Sequence, residues 1–188
     1  MVLGNFVIIL QHVYTIGIHI NSIMKHIIPV LLVIISYNSK AQSKIVVKKN
    51  YTITYPAAWN VAASSTNAAC SIEAPSDGAG DAFVENINLT SSPIKGYTAA
   101  TYAAFSKGYL PKKIKNFTVL EEKAITTNGT PGYYMVFKGL QGKDKLQWKQ
   151  YYYIHNNTIY ILTLTAEQAK YANYITQVQP SLQSFTIK

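Results

Sequence analysis

The 188-residue sequence contains no arginine and a single cysteine, Cys70. One cysteine excludes an internal disulfide, and its place deep in the chain leaves no thiol near the N-terminus to carry a lipid. Without arginine the chain lacks the planar, bidentate cation on which sequence-specific nucleic-acid recognition depends, so no nucleic-acid partner is expected. Acidic side chains are also scarce: 8 stand against 17 lysines, a formal charge of +9. Lysines spread from Lys44 to Lys188 fit solubility and weak attraction to an anionic surface. Past residue 26 the only histidine is His155, beside Asn156-Asn157 in a turn. Nucleophilic catalysis needs a base near its nucleophile and zinc needs several ligands, so neither chemistry is expected and no cofactor is implied. Cys70, at the start of a strand, reads as a small buried hydrophobe.

What the chain does have is an apolar beginning. Val2 to Ile20 and Ile27 to Ile35 are apolar stretches, and Lys25 is the one charged side chain between Met1 and Ser36. Met24-Lys25-His26, the apolar run 27–35 and the polar exit Tyr37 to Ala41 follow the layout of a secretory signal. The expectation is a signal peptide over 24–41, cleaved near Ala41-Gln42, with export to a periplasmic or extracellular location. Residues 1–23 then read as an upstream extension. A membrane anchor over Val2–Ile20 is the competing reading, weakened by Gln11, His12 and His19. Residues 43–188 are expected to form one domain with no stable membrane span, monomeric, carrying 15 lysines against 8 acids, a net +7.

Within that domain the periodicity is mostly that of strands. "NYTITY" at 50–55 alternates Tyr51, Ile53 and Tyr55 against threonines, and Pro56 ends it, with Trp59 expected to pack back on the sheet. Short strands follow at 69–74 and 82–90. Helical spacing of Ala99, Tyr102, Phe105 and Tyr109 after a capping Thr98 predicts an amphipathic helix, and Lys112, Lys113 and Lys115 a solvated exit from it. Strands at 117–126 and 133–138 meet at Asn128-Gly129, a strong hairpin signal. Gly139 to Lys145 turns the chain, and strands 146–155 and 158–165 pair around Asn156-Asn157. "YYMVF" and "IYILTL" are apolar on both faces, which implies a sheet covered on both sides. A second helix is expected after a Thr165 cap with Gln168 reaching back, its stripe Tyr171, Ile175, Val178 and Leu182 interrupted at Pro180. Residues 184–188 are expected to close the sheet as a last strand.

"YTITYPAAW" at 51–59, "FVENINL" at 83–89, "TTNGTPGYYMVF" at 126–137, "YYYIHNNTIYILTLTAE" at 151–167 and the closing "LQSFTIK" together resemble the PsbP-like superfamily. That superfamily includes the PsbP subunit of photosystem II and exported bacterial proteins of the DcrB type. The resemblance implies an α/β (α+β) sandwich: an antiparallel sheet of about six to seven strands with helices packed on both faces. It also implies binding of partners rather than catalysis, so the expected function is that of an exported non-catalytic module that binds a protein or cell-envelope component.

Two stretches compete for a site. "APSDGAGDAFVE" at 74–85 gathers Asp77, Asp81 and Glu85, with Glu73 just before. The expected reading of Asp77 and Asp81 is a solvated turn joining two strands, with both acids in water and glycines supplying the bend; they are only weak metal candidates, since their Asp-Gly-Ala-Gly-Asp spacing departs from a calcium loop. Glu85 shares a strand face with Phe83, Ile87 and Leu89, where burial and pairing with a lysine or tyrosine are expected. The other stretch is aromatic: Trp148, Tyr151 and Tyr153 offer a partner surface or a glycan platform, against the plainer reading as core.

Overall fold

The computed structural model describes residues 42–188 except 64, 67 and 68; the signal-peptide and upstream readings on 1–41 lie outside them. Among the described residues ten strands and two α-helices make an α+β fold. The strands are β1 (Ser43–Val47), β2 (Tyr51–Pro56), β3 (Asn60–Val61), β4 (Ala69–Glu73), β5 (Asn86–Pro93), β6 (Lys115–Thr127), β7 (Thr130–Gln141), β8 (Asp144–His155), β9 (Thr158–Glu167) and β10 (Thr186–Ile187). Helix α1 (Ala99–Tyr109) lies between β5 and β6, and α2 (Tyr171–Gln183) between β9 and β10.

A seven-stranded sheet runs in the order β3-β4-β5-β9-β8-β7-β6, every pair antiparallel. Its long hairpins follow the local turn chemistry. Asn128 and Gly129 take φ of 47° and 79°, and Asn156 and Asn157 take 49° and 55°. Positive φ at both central residues is the geometry whose twist matches paired strands. The third turn is tighter than the sequence suggested: only Gly142-Lys143 separates β7 from β8, and Gly139 stays inside β7.

Because side chains alternate across a strand, β7 sends Tyr134 and Val136 to one face and Met135 and Phe137 to the other. The first face meets α2 and a second sheet, β1-β2-β10. The second face meets α1. This small second sheet departs from the single sheet expected from the sequence, since β10 closes on β2 and not on the large sheet. Tyr51, Ile53 and Tyr55 form its inner row, and Phe185 links it to the large sheet with ring centres 6.0 Å from Tyr51 and 5.3 Å from Tyr153.

Both helices differ from their sequence readings. Helix α1 is capped as expected: the Thr98 hydroxyl accepts from Thr101 N–H, and the Thr101 hydroxyl accepts from Thr98 N–H. Yet it buries Ala103 and Ser106, and leaves Phe105 and Tyr109 exposed. The small side chains let the helix backbone approach the sheet; Tyr102 packs on Tyr152 with ring centres 5.8 Å apart, and Phe105 and Tyr109 slide to the flank. Helix α2 does not start at Thr165. That residue is buried in β9, paired with Trp148, because the longer β8 draws β9 on to Glu167. Ladder hydrogen bonds there outcompete a local cap. Gln168 instead donates to the carbonyls of Gly139 and Leu146, pinning the turn to two strands. The helix then runs through Pro180 to Gln183. Among the described residues no helix is long and apolar enough to cross a membrane.

Candidate functional site

The loop between β4 and β5 comes back against the start of α2. Gly78 and Gly80, at φ of 132° and 92°, supply the bend. Within it the Asp81 carboxylate accepts from the Asp77 N–H at 2.9 Å. Lys170, at the N-cap of α2, extends its ammonium into the loop. Its Nζ lies 2.8 Å from Asp81, 2.9 Å from Asp77, 3.0 Å from Glu167 and 3.9 Å from Glu85. Tyr174, one turn further along α2, donates its hydroxyl to Asp77 at 2.8 Å.

This corrects the picture of a turn standing in water. The Asp81 side chain is only 4% exposed, although Asp77 keeps 46%. Asp77, Asp81 and Glu85 do converge, with carboxylate oxygens within 4.8 Å of one another. The point they converge on is held by the protein's own cation. The sequence reading missed Lys170, Glu167 and Tyr174; the i,i+3 spacing of Glu167 and Lys170 was the one local signal of a pair.

Electrostatics divides the acids. The Lys170 ammonium holds Asp81 and Asp77 below the usual aspartate value, and the carboxylates push Lys170 up. Glu85 moves the other way: burial raises its carboxyl above the ordinary value, despite help from backbone N–H groups and Lys170. It is 1% exposed; Oε1 accepts weakly from Glu167 N–H at 3.4 Å, and Oε2 has no hydrogen-bond partner among the described residues. Glu85 lies just before β5, and Phe83 packs toward the opposite cluster from Ile87 and Leu89, so the shared strand face read from the sequence is not formed.

A raised carboxyl binds its proton more tightly in the folded state. Its ionisation therefore costs stability above the raised value, and the cost disappears below the unfolded value of 4.5. Glu85→Gln is expected to raise the melting temperature at neutral pH, with the gain shrinking to nothing as the pH falls through that window. The depressed Asp77 and Asp81 act with the opposite sign in both proteins, losing their contribution only at lower pH. Parallel thermal melts from about pH 4 to about pH 8 check this; a gain that does not depend on pH would refute the assignment.

The aromatic candidates are core. Trp148, Tyr151 and Tyr153 are 6%, 4% and 0% exposed, so they form no partner surface and no stacking platform. Trp148 stacks on Phe137, and Tyr151 on Tyr153, inside a sheet covered on both faces. Trp59 is buried with its ring edge-on to Tyr174. Asn128 does more than turn the chain: its amide donates to the carbonyls of Gln183 and Phe185 and to the Thr186 hydroxyl, tying the β6–β7 hairpin to the end of α2. Cys70 is buried, and His155 is exposed at its hairpin.

The exposed rings lie elsewhere. Tyr97, Phe105 and Tyr109 are 39%, 52% and 45% exposed along one flank of α1. Phe105 stands 6.0 Å from Tyr97 and 6.2 Å from Tyr109, ring centre to ring centre, so the three make one continuous strip. From Asn86 to Leu120 the chain carries Lys95, Lys107, Lys112, Lys113 and Lys115 and no acid. Among these, Lys107 pairs with Glu122 at 2.8 Å.

Comparison with known proteins agrees with this architecture. A Pseudomonas aeruginosa protein of unknown function matches with a TM-score of 0.56 at 15% identity, covering 76% of this chain and 95% of that one. The cyanobacterial PsbP (CyanoP) of Synechocystis sp. matches at 0.57 and 14% identity, covering 79% and 94%. LpqN of Mycobacterium tuberculosis, described as involved in cell envelope biogenesis, matches at 0.53 and 13%, covering 81% and 87%. No curated protein sequence matches the chain. The family model for PsbP-like proteins matches residues 33–187, nearly the whole of the strand and helix order described above, and the chain belongs to that family.

Proposed function

We propose that the protein is an exported, non-catalytic binding module that holds a protein or cell-envelope component against the exposed flank of α1. The observation that carries this reading is the strip of Tyr97, Phe105 and Tyr109 set in a segment with five lysines and no acid. Exposed aromatic rings in contact with one another lose little on being covered, and aromatic residues are over-represented where partners anchor. The surrounding positive charge favours an anionic partner. Export rests on the signal-like segment 24–41, and the envelope role described for LpqN supports an envelope component as the partner class. The non-catalytic reading is supported by the state of the reactive groups: Cys70 is buried, His155 stands on a hairpin tip, and the clustered acids hold Lys170.

A photo-crosslinking residue at position 105, compared with one at Lys143 on the β7–β8 turn, tests the face directly. A discrete adduct from envelope extract at 105, absent at 143 and weakened by neutralising Lys112 and Lys113, is the expected result. Equal background at both positions would sink the proposal.

A further inference from the structure

A cavity of about 470 Å³ opens between β6–β8 and α2, on the sheet face turned away from α1. On its floor is Lys149 of β8, a charged side chain on the face that Tyr151, Tyr153 and Val136 otherwise keep apolar. Its ammonium lies 4.7 Å from the centre of the Tyr134 ring and 5.6 Å from that of Tyr151. It donates to Gln179 Oε1 at 3.2 Å, and Gln179 in turn donates to the Tyr151 hydroxyl at 3.4 Å. Lys123 of β6 lines the same cavity from its exposed edge.

Most lysines outside ion pairs are exposed; Lys149 stands apart because it is half-buried on the inner face of the sheet and still has no ion-pair partner among the described residues. Lys170 has three carboxylates within 3.0 Å and Lys107 has Glu122, whereas Lys149 is in none of the ion pairs among the described residues. An ammonium has three protons to donate, and one neutral amide oxygen plus two ring faces leave it without a directly bonded anion. Burial accordingly pushes it below the ordinary lysine value. Packing alone would be served by an uncharged side chain, and the cavity's volume is within the range of small-ligand sites. Glu121, outside the cavity lining, sets the local charge. It accepts the Tyr134 hydroxyl and its field reaches Lys149, so two lysines face one acid and the balance suits a single negative charge.

We propose that this cavity binds a small hydroxylated monocarboxylate of the acidic-sugar type, with Lys149 as the charge anchor, Lys123 at the rim, and Gln179 as the hydrogen-bonding group for its hydroxyls. The site is separate from the α1 flank and does not depend on the function proposed for it.

Titrating the protein with D-glucuronate, glucose and inorganic phosphate at constant ionic strength, read by calorimetry and amide NMR shifts, tests the assignment. Saturable glucuronate binding is expected, weakened by about tenfold or more when the carboxylate is absent, as in glucose, or when Lys149→Gln removes the anchor. Lys123→Gln, on an exposed side chain that leaves the fold unchanged, is expected to weaken it severalfold. Shifts should map to β8 and the last turns of α2. If Lys149→Gln does not fold, the Lys123→Gln and glucose results decide. Equal affinity for glucose, tighter binding of phosphate, unchanged binding in a folded Lys149→Gln protein, or no saturable shift would each overturn the proposal.

Discussion

Phe185→Ala is expected to lower the free energy of unfolding by about 3–5 kcal/mol, the range for deleting a buried aromatic ring. The ring is 1% exposed and stands between three others: Tyr51 of the small sheet at 6.0 Å, Tyr153 at 5.3 Å and Tyr160 at 6.1 Å, both of the large sheet. Removing it leaves a cavity where the two sheets meet, and neighbours fixed in separate sheets cannot collapse into it. A domain of this kind has only about 5–15 kcal/mol in all, so the loss is a large fraction of its stability. Urea unfolding should show the midpoint fall with an unchanged slope. A change below about 1 kcal/mol would mean that the ring does not join the sheets as the contacts indicate.

Gly139→Ala is the second large effect, and its cause is crowding. A Cβ at position 139 would lie 2.3 Å from Ile114 Cγ2 and 2.7 Å from the Lys115 carbonyl oxygen. Ile114 is itself buried, and the carbonyl belongs to the backbone where β6 begins beside an irregularity in its pairing with β7. Neither can give way cheaply, so a cost of about 1–3 kcal/mol is expected from overpacking. Alanine's entropic advantage over glycine in regular structure, about 0.5–1 kcal/mol, reduces that cost without reversing it. Gly108 in α1 supplies the contrast: nothing lies within 4 Å of a Cβ there and its φ is ordinary, so Gly108→Ala should stabilise by up to about 1 kcal/mol. Denaturation curves of the two variants should therefore move in opposite directions from the parent. Movement in the same direction would contradict the close approach at Gly139.

Both effects arise from contacts between distant parts of the chain, and that is where the sequence reading stopped being sufficient. The alternation of Tyr51, Ile53 and Tyr55, the two-faced apolar runs of β7 and β9, the Thr98 cap and the asparagine turns were legible because each depends on neighbours within a few residues. From these came the antiparallel α+β architecture and the family resemblance. The second sheet was not legible. β10 has two residues, and nothing local says whether they pair with β2 or with the large sheet. The burial of α1 was ambiguous for a different reason. Ala99, Ala103, Ser106 and Leu110 repeat with helical spacing as well as the ring series does, and only the closeness of the sheet turns the helix so that Ala103 and Ser106 are buried and Phe105 and Tyr109 are not.

The acidic stretch divides in the same way. By itself the sequence determined that Asp77 and Asp81 share a glycine-rich loop, that Glu85 stands beside a strand, and that lysine is the only strong cation available to any of them. Only the tertiary structure decided which lysine: Lys170, 89 positions beyond Asp81, brings its ammonium to the carboxylates because β9 and α2 return to that end of the sheet. It decided equally that Lys149 has no such partner among the described residues and that the aromatic strand faces inward. Spacing along a chain sets local conformation. The counter-charge of a side chain and the burial of a ring depend on what the fold brings to within a few ångströms of them, and that is a property of the packed chain.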